Sequence, residues 1–352
     1  MTAPVGFAAM LDRFAPAEAV ELAAVAEQHG FRGVLANDHL QPWLPRHGQG
    51  GFPWSVLAAA GSRTTGELAA GPVTAGTRMH PAALAQAAAT TAALHPGRHW
   101  IALGAGEAIS EHVTGGYWPE APERIGRMFE ALEVVRKLFL SGQSERPAVH
   151  RGDDFRLESS RLWVDPGEWP ALLVATAGPL TARRAGRVAD GLLTIASTPE
   201  RAEHLLARFD EGRRERSRGE GGRGGATRAS AAARDGGAGG ARGIRAIRID
   251  LAWAPDDGTA MAEALAEWPI PGVRFPRADV RAPGDFEQLA RAVRPEDLEG
   301  RMLVSSDLDA HRANIQRYLD LGFDRVFLHN AGPDQRRFLE IFGREVLPGL
   351  RA

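Results

Sequence analysis

The chain contains no cysteine. Disulfides, cysteine–zinc sites and thiol nucleophiles are therefore excluded. Lysine is nearly absent as well: Lys137 is the only one, and arginine supplies the rest of the side-chain cationic charge. No charge excess of either sign stands out. The formal net charge is −2, so nothing in the balance calls for nucleic acid. Aromatic residues make up only 7%. No window holds about 18 consecutive apolar residues, which argues against a membrane-spanning helix. The N-terminal MTAPVGFAAMLDRF has no basic start followed by a long apolar stretch. These absences predict a cytoplasmic protein with neither a membrane nor a nucleic-acid partner. What remains is an ordinary globular composition, 44% hydrophobic and 24% charged over 352 residues, ample for a sizeable core.

Short apolar runs alternate with longer amphipathic segments. Strands are predicted at 4–9, 34–37, 68–74, 100–104, 171–176, 191–196, 245–253 and 325–330. Helices are predicted at 16–29, 55–64, 81–94, 122–140, 180–188, 199–209, 309–319 and 335–346, with a short one near 109–113. Eight strand–helix alternations point to parallel strands joined by crossover helices, and eight is the number that closes a barrel. The expected fold is a single α/β domain over 1–352, a (β/α)8 TIM barrel with insertions; a doubly wound open sheet is the alternative. The insertions are placed at about 143–169 and 253–302, where such excursions usually cover the mouth. A Gly/Arg/Ala-rich stretch at about 213–243 has almost no large apolar residue and reads as a flexible loop.

Several candidates for chemistry fall just past predicted strands, where barrel enzymes place reactive groups. Asp38 and His39 follow the second strand; His39 is able to accept a proton near neutral pH, although a turn with a packed histidine is the plain alternative. Gly104-Ala105-Gly106-Glu107 follows the fourth strand and opens a helix. Its glycines allow close backbone approach of a ligand, and Glu107 is either a helix-stabilising acid or a proton donor. Thr176, Ala177 and Gly178 end the fifth strand with small residues, suited to a phosphate or ring edge or merely to tight packing. Trp43, near His39, is either a wall for a planar group or a buried anchor. With Thr74 after the third strand, these groups share one face and suggest a ligand site with proton chemistry.

At these residues the chain resembles the luciferase-like oxidoreductases, in particular the F420-dependent glucose-6-phosphate dehydrogenase group. The likeness runs through NDHLQPW (37–43), RMHPAALAQAAAT (78–90), GAGEAISE (104–111), ATAGP (175–179), GRMLVSSD (300–307) and DQRRFLEIF (334–342). It implies a homodimeric barrel that binds coenzyme F420 and moves a hydride between an alcohol or sugar-phosphate-like substrate and C5 of the deazaflavin. It assigns His39 as base for the substrate hydroxyl, Glu107 as acid toward the ring, Trp43 as a lining residue that steadies the reacting centre, and Asp38 as a ring contact. It puts a non-prolyl cis bond and bulge behind the ring at Val73–Thr74, and Ala105, Gly106, Thr176, Ala177 and Gly178 at the coenzyme. Ser110 stands where the family often has Asn. Asp12 matches an acidic pocket residue on the substrate side. Of four groups that hold phosphate in the sugar-phosphate enzymes, Arg277 and Arg301 match two, while Ile195 and Thr198 replace a Thr and a Lys. Alternatives on the same barrel are an FMN-dependent monooxygenase, an F420-dependent reductase of carbonyls, enones or imines, and an F420-binding protein without turnover. No metal is implied.

Overall fold

A computed structural model describes residues 4–76, 78–144, 146–195, 198–221 and 242–351. Eight parallel strands form its centre: β1 (Val5–Ala9), β2 (Gly33–Ala36), β3 (Glu67–Val73), β4 (His99–Leu103), β5 (Ala171–Ala175), β6 (Gly191–Ile195), β7 (Ile244–Ala252) and β8 (Arg325–Asn330). Each bonds to the next, β8 bonds to β1, and β6 pairs with β7 with Gly191 opposite Ile244, so the sheet closes. The expected barrel is present, with every strand within one residue of its predicted bounds; Ala196, predicted to end β6, lies outside the described residues.

The outer ring is α1 (Pro16–Gln28), α2 (Pro53–Gly61), α3 (Pro81–Leu94), α4 (Ala121–Ser144), α5 (Pro179–Val188), α6 (Pro199–Gly221), α7 (Leu308–Asp320) and α8 (Gln335–Ile341). Proline opens α1, α2, α3 and α5, a position where the missing N–H costs nothing. The strands alternate small and large residues between two environments. Ala8, Leu35, Ala69, Trp100, Ala102, Leu173, Leu193, Ala246 and Phe327 fill the barrel interior, with Trp100 edge-on to Phe327. The opposite faces meet the helices: Val34, Leu68, Ile101, Leu172 and Val174 pack into the larger core.

Three expectations need correction. Helix α6 runs to Gly221, past the predicted end at 209 and into the stretch read as a loop. The added turns carry Glu211 and Glu215, which pair with Arg183 and Arg187 of α5, so charge supplies what apolar burial does not. Of the predicted loop at 213–243, residues 222–241 lie outside the described ones. The excursion at 143–169 supplies no described residue to the cavity at the C-terminal ends of the strands. It holds an antiparallel hairpin, Ala148–Arg151 with Arg156–Ser160, pinned to α4 where Glu130 accepts from the amides of Asp154 and Phe155. Finally, the irregularity in β3 is a register shift between Ala70 and Val73 with the cis bond at Gly71–Pro72, so it is prolyl and lies earlier than expected.

The excursion at 253–302 does reach the mouth. It contains helices Asp257–Glu267, Pro283–Ala290 and Pro295–Leu298, and a two-residue strand after it, Leu303–Val304, pairs with β7. Its own apolar core joins Trp268, Ile270, Val273, Phe286 and Leu298 to Met10, Trp43 and Leu44 of the β1 and β2 loops. Burying each such side chain is worth about 1.5–3 kcal/mol, so the excursion is seated by packing rather than tethered at its ends.

Candidate active site

A cavity of about 770 Å³ opens at the C-terminal ends of the strands. That is the end of a parallel barrel where the loops, not the packed interior, face a ligand. Its floor is made of small residues: Pro72 and Thr74 from β3 and its loop, Gly104, Ala105 and Gly106 after β4, Ala175 at the end of β5 and Thr176 and Ala177 after it. Gly106 has φ +83°, and a Cβ there would sit 2.9 Å from Thr74 Cγ2. A Cβ on Gly104 would lie 2.9 Å from Pro72 Cβ. Both positions keep the floor low and flat.

The reactive pair sits on the wall. His39 Nε2 is 3.6 Å from Glu107 Oε2, with the histidine side chain 11% exposed and the glutamate 35%. Ser110 Oγ accepts from the Leu40 amide at 3.3 Å and lies 3.5 Å from His39 Nδ1, so both ring nitrogens of His39 have a polar neighbour. Beside them, Arg78 Nη2 donates to Asp38 Oδ2 at 2.6 Å and its Nε to Glu111 Oε1 at 3.3 Å. Burial pushes the Glu111 carboxyl above the ordinary range despite Arg78. Burial opposes the Arg78 charge too, but its two carboxylates outweigh it and hold the guanidinium on.

Deeper in, Asp250 of β7 lines the cavity. Arg248 binds it through both oxygens, Nε to Oδ1 at 2.9 Å and Nη2 to Oδ2 at 3.1 Å. His329 Nδ1 donates to Oδ1 at 3.1 Å, and Arg13 Nη1 lies 3.0 Å from His329 Nε2. Burial pushes His329 down to about 4, against the pull of Asp250, so the ring is neutral with its proton on Nδ1. Burial resists the Asp250 charge, yet Arg248 and His329 hold it well below the usual carboxylate range. Arg277 and Arg301 approach from the 253–302 excursion, and Arg301 Nη1 donates to the Pro271 carbonyl at 2.8 Å. Thr194 Oγ1 is buried without a hydrogen-bond partner on the same cavity wall.

The structure brings together Asp38, His39, Thr74, Ala105, Gly106, Glu107, Ser110, Thr176, Ala177, Arg277 and Arg301 around one cavity. Four sequence candidates lie elsewhere. Val73 is fully buried in the helix-side core. Gly178 caps α5, its amide bonded to Thr176 Oγ1 at 3.0 Å. Trp43 is 4% exposed and does not line the cavity; it packs behind His39, ring centroids 5.4 Å apart, with Phe286 on its far side. Asp12 is fully buried one layer down, bound by Asn37 Nδ2 at 2.8 Å and facing His47 Nδ1 at 3.4 Å. Ile195 lines the cavity, whereas Thr198 Oγ1 accepts from the Arg201 amide in the first turn of α6. Sequence reasoning missed Arg78, Glu111, Thr194 and Asp250. Arg78 and Glu111 stand inside motifs already noticed, and Asp250 shares strand parity with the interior residue Ala246.

Residues 2–325 match the model of the luciferase-like monooxygenase family. The chain is 35% identical to the F420-dependent glucose-6-phosphate dehydrogenase of Intrasporangium calvum, over 99% of this chain and 98% of that one. It is 31% identical to the enzyme of the same name from Mycobacterium avium, again over 99% and 98%. Among solved structures, an F420-dependent secondary alcohol dehydrogenase in complex with an F420–acetone adduct superposes with a TM-score of 0.87 at 28% identity, both chains fully covered. The F420-dependent tetrahydromethanopterin reductase of Methanopyrus kandleri, at TM-score 0.75 and 20% identity with both chains fully covered, shares the fold. The barrel, the small-residue floor and these full-length matches agree: the chain belongs to the luciferase-like family and, within it, to the F420-dependent oxidoreductases.

Proposed function

We propose that the chain is an F420-dependent dehydrogenase that oxidises an alcohol carrying an anionic group. The observation that supports this most is the His39–Glu107 pair, 3.6 Å apart on the wall of a flat-floored cavity. The donor set fits the coenzyme. A floor that excludes a Cβ at Gly104 and Gly106 suits a planar ring, Asp38 offers a side-chain acceptor at the cavity wall, and Thr194 Oγ1 is a buried hydroxyl awaiting a partner. Asp38, Thr74, Ala105, Gly106, Ser110, Thr176 and Ala177 would hold F420, with Val73 and Gly178 supporting that wall from behind. When bound, the deazaflavin supplies the hydride acceptor, at C5, that no side chain here provides.

The chain's own residues handle the proton. His39 takes it from the substrate hydroxyl at Nε2, the nitrogen that faces Glu107. Glu107 balances the charge beside the ring. Trp43 and Phe286 keep the imidazole in place from the side away from solvent. Arg277 and Arg301 receive the substrate's anion, a role suited to forked guanidinium donors. Ile195 and Leu193 give that end an apolar wall. A sugar phosphate remains one candidate, with glucose 6-phosphate disfavoured by the apolar side chain at 195. We further propose a cytoplasmic homodimer, to be checked by light scattering; among the described residues, no helix is long and apolar enough to cross a membrane.

Titration of the purified protein with F420 and with FMN tests the cofactor. Loss of F420 absorbance across alcohols, hydroxy acids and sugar phosphates tests the substrate. Tight FMN binding without F420 affinity would sink the proposal, and F420 binding with no turnover in either direction would leave a binding protein.

A further inference from the structure

Pro271, Arg277 and Arg301 reach the cavity only because the 253–302 excursion is seated over the barrel. Most of that seat is apolar, with polar contacts at its edges such as Arg46–Glu287 and Trp118–Asp279, and one polar contact to a buried carboxylate of strand β7. Trp268 is fully buried, and its indole Nε1 donates to Asp250 Oδ2 at 3.2 Å. The ring stands edge-on to His329 at 4.3 Å and 71°, and stacks on His47 at 5.9 Å and 18°. His47 Nε2 in turn donates to the carbonyl of Glu267, the residue before the tryptophan. Three residues after Trp268, the Pro271 carbonyl holds the Arg301 guanidinium. Asp250 is thus linked by a hydrogen bond to Trp268, by three residues of chain to Pro271, and by a second hydrogen bond to Arg301.

The geometry points to a positioning role for Trp268: its hydrogen bond to Asp250 sets the register of the excursion, and so fixes where Arg301 presents its charge in the cavity. Apolar packing is non-directional and allows an aromatic ring to slide or rotate in its pocket. A hydrogen bond to a charged acceptor is directional and is stronger than a neutral one. The acceptor is itself rigid, since Arg248 and His329 occupy both carboxylate oxygens from strands of the closed barrel. Trp268 therefore ties the arginine-bearing excursion to a buried carboxylate held within the barrel. The inference rests on the reading of Arg277 and Arg301 as anion-holding groups.

Trp268→Phe keeps the ring and removes the donor. In the F420-free protein, W268F is expected to bind inorganic phosphate about tenfold more weakly than wild type in calorimetry, a loss of about 1.4 kcal/mol. Arg301→Gln should lose phosphate to a similar degree. Hydrogen exchange separates the two variants: W268F should speed exchange across 270–302 while the barrel strands stay protected, and R301Q should not. Undiminished phosphate binding in W268F overturns the proposal, as does exchange that rises across the barrel strands, which would mean general loosening. If wild type binds no phosphate, sulfate or carboxylate, the anion-site reading fails; exchange across 270–302 in W268F then decides the clamp alone, and unchanged exchange there overturns it.

Discussion

Arg78→Met should cost stability in a way that depends on pH with a definite sign. Among the described residues, Arg78 is the cation that bridges Asp38 and Glu111, whose side chains are 2% and 5% exposed. Removing one partner from a buried ion pair costs about 3–5 kcal/mol, because the remaining charge is left uncompensated. With an unfolding entropy of about 2 cal/mol/K per residue, a chain of 352 residues should melt about 4–7 °C lower. In the wild type, burial already raises Glu111 above its ordinary value. Without the arginine, which pulls the other way, burial should raise the folded-state Glu111 carboxyl further above its unfolded value. A raised carboxyl favours the folded state while it is protonated and destabilises it as pH rises through the folded pKa. The gap between R78M and wild type should therefore widen from pH 5 to pH 8, read by calorimetry or fluorescence melting. Arg78→Met combined with Glu111→Gln should recover part of the loss at pH 8. A gap that is absent, constant or larger in acid would refute the reasoning.

Three further outcomes follow from the site and the core. His39→Ala should slow F420 reduction by about 10²–10⁴-fold, the usual worth of a positioned base; stopped-flow absorbance checks this, and an unchanged rate removes His39 from the chemistry. Gly106→Val puts a branched side chain at φ +83° and against Thr74; F420 affinity by fluorescence titration should fall at least about tenfold, or about 1.4 kcal/mol. Burial pushes His99 and His329 each down to about 4. A depressed histidine is neutral in the fold but charged when unfolded, so its contribution is complete above about pH 6.5 and is lost as pH falls from there toward 4. The melting temperature should drop between pH 7 and pH 5, and a flat profile would contradict the assignment.

The barrel was legible because its evidence is periodic. Strand ends repeat at regular distances, and side-chain parity within β7 or β4 follows from the pleat alone. His39, Glu107 and the Gly104–Gly106 turn were legible for the same reason, since position after a strand dictates exposure at the mouth. Depth was not legible. Trp43 and Asp12 lie near the site in the chain, yet one layer below it, because the 253–302 excursion packs over them and nothing local to either residue records that. Buried charge was equally hidden. Arg248 and Asp250 occupy adjacent inward positions of β7, where a sequence pattern anticipates apolar side chains, and only the arrival of His329 and Trp268 from distant segments makes the placement tolerable. The extension of α6 was missed because its support is ionic and comes from α5.

The flat floor and the arginine-bearing excursion belong to different stretches of the chain, joined where Phe286 meets Trp43 and where Trp268 meets His47, His329 and Asp250. Floor residues come from the loops after β3, β4 and β5, and the anion-facing residues from 253–302. Sequence change in the excursion can therefore alter which alcohol is accepted while the surface facing the coenzyme stays as it is. Such change is constrained at two points: whatever replaces Phe286 must still back the tryptophan that backs His39, and Trp268 must keep its contacts with His47, His329 and Asp250. Substrate range and reactivity thus meet at the contacts of Phe286 with Trp43 and of Trp268 with His47, His329 and Asp250, and those contacts are where exchange of the excursion between relatives would succeed or fail.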